Sequence, residues 1–303
     1  MGKIAFVFPG QGAQYVGMGK ELYAASPAAR AVFDAAGDAV RRLCFEGPAE
    51  ALNETLNTQP CLFATDLAAA YALNEAGIYA EGVAGFSLGE IPALAYCGLL
   101  SPQDALALVR LRAAAMRACA QENPGAMLAV LKLPAQEVEA ACDGLDNAYP
   151  VNYNAPGQTV VACAQSTAET LLARISELGG KALKLAVSGA FHSPLMQGAE
   201  RALADFVSTL SFGEMRLPLY ANVTGGVYAN PKTLIPRQVA SPVLWQRTIE
   251  NMTRDGFDRF IEAGPGKVLS GLIKKINPNA AVYNVGDLAS LERTALEVKG
   301  AGA

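Results

Sequence analysis

The chain has 303 residues, of which 51% are hydrophobic and 17% are charged. This composition supplies enough apolar surface for one large domain or two ordinary ones, and it excludes an intrinsically disordered protein. With 24 basic and 28 acidic residues, the net charge is −4. Nucleic-acid-binding domains carry a basic surplus, so we expect no nucleic-acid partner.

The six cysteines are scattered without a C-x-x-C pair in apolar stretches, a pattern typical of buried free thiols in a reducing compartment. The single histidine, His192, leaves too few imidazoles for a histidine-based metal site, so we expect no metal and no cofactor.

The apolar run before Pro9 is too short for a signal peptide, and no run reaches the length of about 18 residues that spans a membrane. We therefore expect a cytoplasmic protein without a membrane partner.

Short β-type runs alternate with longer helical stretches, which indicates an α/β fold with a parallel sheet. The elements predicted before residue 126 are a strand at 3–8, a helix at 62–75, a strand ending at 83–84, a helix from about 88 and a helix that starts at Ser101. The last helix has a clear start, because Ser101 can cap the N–H groups and Pro102 suits the first helical position.

The middle of the chain has a different order of elements. They are a strand at 127–132, a helix at 135–142, strands at 151–153 and 159–162, a helix at 166–178 and a strand at 182–187. This βαββαβ order is that of ferredoxin-like domains. We therefore predict a ferredoxin-like small subdomain at 127–188, inserted into a larger α/β body formed by 1–126 and 189–303.

Residues 85–89, Gly-Phe-Ser-Leu-Gly, fit the G-x-S-x-G nucleophile elbow between a predicted strand and a predicted helix. In this motif a tight turn between small residues presents the serine hydroxyl above the end of the sheet. Ser87 is therefore the candidate nucleophile. The alternative is an ordinary strand-to-helix turn with a capping serine.

A serine nucleophile needs a general base, and His192 is the only imidazole in the chain. It lies in a loop of small residues where the insert rejoins the larger body, a position that favours a cleft. The alternative is that a lone histidine is a structural residue.

Gln11 lies between two glycines directly after the first predicted strand. Its backbone N–H and that of Leu88 are candidates for an oxyanion hole. An ordinary glycine-rich turn is the alternative. A dinucleotide fingerprint is excluded, because Tyr15 stands where G-x-G-x-x-G needs its third glycine.

On a helical wheel, Arg112 falls between Leu108 and Met116 on the apolar face, whereas Arg110 and Arg117 point to the opposite side. A guanidinium on a buried face must find an anion, because an unpaired buried charge is strongly destabilising. This favours a clamp that binds a substrate carboxylate with two hydrogen bonds. The open alternatives are an internal salt bridge and a side chain that extends to the surface.

Seven segments together resemble a single family. They are FPGQGAQ at 8–14, GFSLGE at 85–90, Arg112 within VRLRAAAM, NYNAPGQ at 152–158, GAFHSPLM at 189–196, SPVLW at 241–245 and EAGPGKVLSGL at 262–272. In these segments and in their order the chain is similar to the malonyl-CoA:acyl-carrier-protein transacylases, over almost its whole length. The resemblance implies an α/β-hydrolase-like core for the larger body, with the ferredoxin-like insert.

The resemblance also implies roles for the candidate residues. Ser87 would be the nucleophile and His192 its base. The backbone N–H groups of Gln11 and Leu88 would stabilise the oxyanion, and Arg112 would hold the malonyl carboxylate.

Two further positions follow from the resemblance. In this family a main-chain carbonyl, rather than an Asp, orients the histidine, and Gln238 occupies the matching place. The chain departs from the commonest pattern at Phe86, where many members have a histidine. The change removes a polar group beside the nucleophile and is expected to alter the shape of the acyl pocket.

The function that the resemblance implies is transfer of a malonyl group from malonyl-CoA to the phosphopantetheine thiol of acyl carrier protein, through a malonyl-serine intermediate, for fatty acid synthesis. The alternatives are a discrete acyltransferase of a polyketide synthase, an acyl-thioester hydrolase on the same scaffold and a catalytically silent scaffold. We expect a monomer whose partners are malonyl-CoA and acyl carrier protein.

Overall fold

The computed structural model describes residues 2–187 and 189–300. The strands are β1 (Lys3–Phe8), β2 (Gly82–Gly85), β3 (Gly125–Leu131), β4 (Ala148–Ala155), β5 (Gln158–Ala164), β6 (Lys181–Lys184), β7 (Leu219–Tyr220), β8 (Phe257–Ala263) and β9 (Ala281–Val285). The helices are α1 (Lys20–Ala25), α2 (Pro27–Ala36), α3 (Asp38–Glu46), α4 (Ala49–Leu52), α5 (Thr55–Glu75), α6 (Glu90–Tyr96), α7 (Pro102–Glu122), α8 (Ala135–Cys142), α9 (Ala168–Glu177), α10 (Gln197–Thr209), α11 (Pro231–Arg237), α12 (Trp245–Arg254), α13 (Val268–Ile276) and α14 (Leu288–Gly300). Short 3₁₀ turns cover Ser87–Gly89, Pro194–Met196 and Gln238–Ala240.

The larger sheet is parallel, with the strand order β7-β2-β1-β8-β9. β1 is buried over all but its first residue, as expected for an apolar strand inside a parallel sheet. Phe8 and Gly85 pair at the carboxyl ends of β1 and β2. The chain segments that leave β1, β2 and β7 carry Gln11, Ser87 and Asn222, so the sheet brings these three residues to one edge. The predicted α/β fold with a parallel sheet is confirmed.

The smaller sheet is antiparallel, with the strand order β4-β5-β3-β6. Its elements follow the chain as β3-α8-β4-β5-α9-β6, which confirms the predicted βαββαβ subdomain. The proposed boundaries, 127–188 for the insert and 1–126 with 189–303 for the larger body, stay a prediction. The first strand of the smaller sheet starts at Gly125, and residues 1, 188 and 301–303 of these ranges lie outside the described residues.

The last strand of the small subdomain is shorter than predicted. β6 ends at Lys184 rather than at Val187, because the N–H of Val187 donates to the carbonyl of Leu185 at 2.9 Å in a tight turn. This turn takes the chain off the sheet. Leu185 and Val187 line the same cavity as Ser87 and His192.

Helix α5 starts at Thr55 rather than at residue 62, and it contains Pro60. A proline inside a helix removes one backbone hydrogen bond, which is why the sequence pattern places the start after it. The helix continues through Pro60 because residues 58–70 are buried without interruption, so packing outweighs the lost bond. This extension brings Gln59 into the interior.

Helix α7, which carries Arg112, begins as predicted. The Ser101 hydroxyl accepts a hydrogen bond from the Asp104 N–H at 3.0 Å, and Pro102 occupies the first helical position.

All six cysteines are buried free thiols. Across residues 2–187 and 189–300, no helix combines the length and the apolar character needed to cross a membrane. The same residues contain no cluster of three His, Cys, Asp or Glu side chains arranged to hold a metal ion.

Two glycine substitutions test how tightly the elbow is packed. A Cβ on Gly85 would overlap the backbone of Gly89, whereas a Cβ on Gly271, in α13, meets no atom within 4 Å. We expect Gly85→Ala to lower the free energy of unfolding by about 1–3 kcal/mol through overpacking. Gly271→Ala should raise it by up to about 1 kcal/mol through helix propensity. Urea denaturation measures both changes, and equal effects for the two variants would contradict the tight packing.

Candidate active site

The turn after β2 presents Ser87 at the edge of the parallel sheet. Ser87 has φ 52°, in the left-handed region that residues other than glycine rarely adopt. Small neighbours make this turn possible, because Cβ atoms on Gly85 and Gly89 would overlap backbone atoms of Gly89 and Phe8. The strand, turn and helix that the G-x-S-x-G motif requires are all present.

His192 is hydrogen-bonded to Ser87. Its Nε2 is 2.7 Å from Ser87 Oγ, and its Nδ1 is 3.0 Å from the main-chain oxygen of Gln238. A carbonyl oxygen can only accept, so Nδ1 donates the proton and Nε2 is left to accept from the Ser87 hydroxyl. His192 itself has φ 62°. The structure thus brings together the three residues that the sequence analysis assigned as nucleophile, base and orienting carbonyl.

Burial keeps the His192 imidazole neutral. The residue is 3% exposed. Desolvation and, to a smaller extent, the Arg112 guanidinium lower the pKa of His192 to about 4, against the opposing hydrogen bond to Gln238. The imidazole is therefore a proton acceptor at neutral pH, which is the form that a general base needs.

Arg112 lies inside the protein beside the same hydroxyl. Its Nη1 donates to Gln59 Oε1 at 2.8 Å, and its Nη2 donates to Gln238 Oε1 at 2.9 Å and to Ser87 Oγ at 3.1 Å. Burial lowers the pKa of Arg112 to about 10, which still leaves it protonated at neutral pH.

The two structural alternatives for Arg112 are not found. The side chain does not extend to the surface, since the residue is 2% exposed. Among the residues that the structure describes, no Asp or Glu forms a salt bridge with it. Its Nε is buried without a hydrogen-bond partner. A buried cation held only by neutral groups is arranged to receive an anion.

A cavity of about 90 Å³ opens beside the Ser87 hydroxyl. It is lined by polar and apolar residues from loops, from α7 and from the smaller sheet, namely Gln11, Phe86, Ser87, Leu88, Arg112, Met116, Met127, Asn152, Leu185, Val187, Phe191 and His192. The candidate oxyanion donors, Gln11 and Leu88, therefore face the same space as the nucleophile and base. Their action through the backbone N–H groups stays a prediction.

Phe86 occupies the wall next to the nucleophile. Its ring packs edge-on against Trp245, with centroids 5.6 Å apart. This pair makes the wall apolar on that side, so Ser87 keeps His192 as its only imidazole partner.

Two groups that hold Arg112 were not predicted from the sequence. One is the Gln59 side chain, which is 1% exposed, and the other is the Gln238 side chain, for which only the main-chain carbonyl was predicted. Gln59 could have been noticed as a polar residue inside the otherwise apolar stretch of α5, had the helix been extended across Pro60.

Asn152 is a third missed residue. It lines the cavity, and its buried Oδ1 has no hydrogen-bond partner. The sequence signal was present, because Asn152 opens the NYNAPGQ segment that carries part of the family resemblance.

Comparisons with known proteins agree on one family. The family of acyl transferase domains matches residues 5–287. The chain is 38% identical over 304 residues to the malonyl CoA-acyl carrier protein transacylase of Bacillus subtilis (strain 168), covering 96% of each chain.

Solved structures give the same result. The crystal structure of malonyl CoA-acyl carrier protein transacylase from Clostridium perfringens is similar with a TM-score of 0.96 and 38% identity, over 99% of this chain and 98% of that one. A malonyl-transacylase in complex with its type II PKS acyl-carrier protein is similar with a TM-score of 0.93 and 35% identity, over 98% and 99% of the two chains.

The low pKa of His192 predicts how the reactivity of Ser87 depends on pH. Protonated His192 cannot accept the Ser87 proton, and the lowered pKa places that protonation near pH 4. We expect the rate at which a serine-directed sulfonyl fluoride labels Ser87 to stay high between about pH 8 and 5 and to fall as the pH drops through about 4. Mass spectrometry measures the rate, with His192→Gln as the slowly labelled control. A midpoint near 6.5, the ordinary value for histidine, would contradict the assignment.

Proposed function

Since the chain belongs to the acyl transferase family and, within it, to the malonyl-CoA:acyl-carrier-protein transacylases, we propose that it transfers malonyl from malonyl-CoA to the phosphopantetheine thiol of an acyl carrier protein. One observation carries the proposal. The Ser87 hydroxyl lies 2.7 Å from His192 Nε2 and 3.1 Å from Arg112 Nη2. A nucleophile, its base and a cation for the substrate carboxylate thus meet at one oxygen atom.

In the first half-reaction, Ser87 Oγ attacks the thioester carbonyl of malonyl-CoA while His192 Nε2 takes the hydroxyl proton. The negative charge that develops on the carbonyl oxygen is stabilised by the N–H groups of Gln11 and Leu88, and losing one such donor typically costs about 10²–10³ in rate. The C–S bond then breaks. His192 returns the proton to the departing sulfur, which leaves malonyl-Ser87 and free CoA.

In the second half-reaction, the phosphopantetheine thiol of the carrier protein enters the cavity from which CoA has left. His192 takes the thiol proton, and the thiolate attacks the carbonyl of malonyl-Ser87. The C–O bond breaks, Ser87 recovers the proton from His192, and malonyl leaves on the carrier. The neutral imidazole serves both halves because its Nε2 carries no proton at the start of either one, while Nδ1 keeps its proton on the Gln238 carbonyl.

Arg112 selects the acyl group. A malonyl carboxylate can form two hydrogen bonds with the guanidinium, which has no acidic partner among the described residues. An acetyl group would leave that buried charge unpaired, a difference of about 2–5 kcal/mol.

The carrier protein is acidic and this chain has a net charge of −4, so docking requires a local basic surface. Exposed basic residues that could contribute are Arg237, Lys267, Lys274 and Lys275. The cytoplasmic location, the monomeric state and the lack of nucleic-acid and membrane partners stay predictions.

We place the reaction in fatty acid synthesis. A second candidate is a discrete acyltransferase of a polyketide synthase, which is favoured by the similarity to a malonyl-transacylase in complex with a type II PKS acyl-carrier protein. The chemistry is the same for both, so comparing transfer to the two kinds of carrier protein distinguishes them. An acyl-thioester hydrolase would instead release free malonate without forming malonyl-carrier.

Covalent labelling tests the nucleophile. Incubation with malonyl-CoA should add one malonyl group to the intact protein, and Ser87→Ala should abolish this addition because no hydroxyl remains beside His192. Ser193→Ala is a matched control, since that buried hydroxyl donates to the Ala190 carbonyl and not to the imidazole. Intact-mass spectrometry measures the product. Labelling of the Ser87→Ala protein would refute the assignment.

The ratio of malonyl to acetyl transfer tests Arg112. Removing the guanidinium should lower kcat/KM for malonyl-CoA by about 10²–10³ in Arg112→Ala, because the substrate carboxylate loses its partner, while acetyl transfer changes far less. Arg110→Ala provides the control on the same helix, where the side chain donates to the Ala36 carbonyl instead. Equal losses for the two acyl groups would mean that Arg112 has a structural role only.

A further inference from the structure

The reaction leaves one feature of the elbow without an explanation. Ser87 has φ 52°, a backbone conformation that carries strain in a residue with a Cβ. Such a conformation persists only where surrounding groups hold it in place.

The side-chain amide of Asn222 bonds to both sides of the turn. Its Oδ1 accepts from the Ser87 N–H at 2.7 Å, and its Nδ2 donates to the Gly85 carbonyl at 2.6 Å. Only one orientation of the amide satisfies both bonds, because the Ser87 N–H needs an acceptor and the carbonyl needs a donor. Asn222 follows β7, which pairs with β2, so the bend is held from the neighbouring strand.

Glu90 fixes Asn222 in turn. The Glu90 carboxylate accepts hydrogen bonds from the Asn222 N–H, at 2.7 Å, and from the Tyr228 hydroxyl. All three residues are buried, and Asn222 and Glu90 are 0% and 1% exposed. Burial of these polar groups in one connected set makes each bond depend on the others.

We propose that Asn222, held by Glu90, is a positioning residue that keeps the Ser87 hydroxyl between His192 and Arg112. It acts through the backbone of the turn, since neither Asn222 nor Glu90 belongs to the cavity wall. The proposal rests on the proposed function for its link to malonyl transfer. Removing the amide lets the turn relax, which displaces the hydroxyl from its two partners and leaves the binding groups in place.

The test separates chemistry from binding. The rate constant for malonylation of Asn222→Ala should fall by about 10²-fold, the loss expected for a misplacement of about 1 Å. The Kd for malonyl-CoA, measured with Ser87→Ala in the background, should not change, because Arg112 and the cavity wall remain. Asn251→Ala is the matched control, since Asn251 also donates from its amide to a backbone carbonyl, that of Gly225, in a partly buried hydrogen bond, but does not contact the elbow.

A sulfonyl fluoride makes the result independent of malonyl. Its rate of reaction with Ser87 should fall for Asn222→Ala as the malonylation rate does, and not for Asn251→Ala. Wild-type rates for Asn222→Ala with both reagents would overturn the proposal. If the wild-type protein reacts with the sulfonyl fluoride and not with malonyl-CoA, the proposed function fails. The sulfonyl fluoride rates then still decide whether Asn222 positions Ser87.

Glu90→Leu covers the case in which Asn222→Ala does not fold. Leucine is close to glutamate in size and offers no acceptor to the Asn222 N–H, so Asn222 loses the group that fixes it. We expect the sulfonyl fluoride to label Ser87 more slowly in Glu90→Leu than in the wild type, and a wild-type labelling rate for Glu90→Leu would overturn the proposal.

Discussion

A positive charge buried without an acidic partner, that of Arg112, constrains the whole site. Its guanidinium is held by amide oxygens of Gln59 and Gln238 and by the Ser87 hydroxyl. Its N–H bonds go to neutral acceptors, and no carboxylate among the described residues forms a salt bridge with it, although the buried Glu90 acts on its charge through space. The same charge, together with burial, disfavours protonation of His192. One cation therefore makes the site ready for an anion and keeps the base in its neutral form.

Gln238 connects these effects at a single residue. Its main-chain oxygen accepts from His192 Nδ1, its Oε1 accepts from Arg112, and its Nε2 donates to the Ser87 carbonyl at 2.6 Å. The base, the cation and the nucleophile are each bonded to a different atom of this side chain or backbone. A displacement of Gln238 would change all three geometries together, so their relative positions depend on the 3₁₀ turn that carries it.

The sequence predicted the parts of the fold and the site that depend on local patterns. The strand before Ser87, the cap of Ser101 and the place of Arg112 on the buried face of α7 follow from residue types within a few positions of each other. The predicted start of α5 at residue 62 was wrong, because Pro60 is a local signal against a helix and the packing of residues 58–70 outweighs it. Groups that act across the chain, such as Asn222 on the Ser87 turn, leave no local signal, since the sheet alone brings them together.

Burial of Arg112 also explains why the proposed reaction is expected to favour the charged malonyl group strongly over a neutral acyl group. An exposed guanidinium would have to lose its water as a substrate carboxylate bound, which would offset much of the attraction. Folding already shields Arg112 from bulk water, since the residue is 2% exposed. A carboxylate that enters the cavity therefore meets a cation that is already oriented and largely withdrawn from bulk solvent. The same preorganisation penalises a neutral acyl group, because nothing that such a group brings can replace the missing anion.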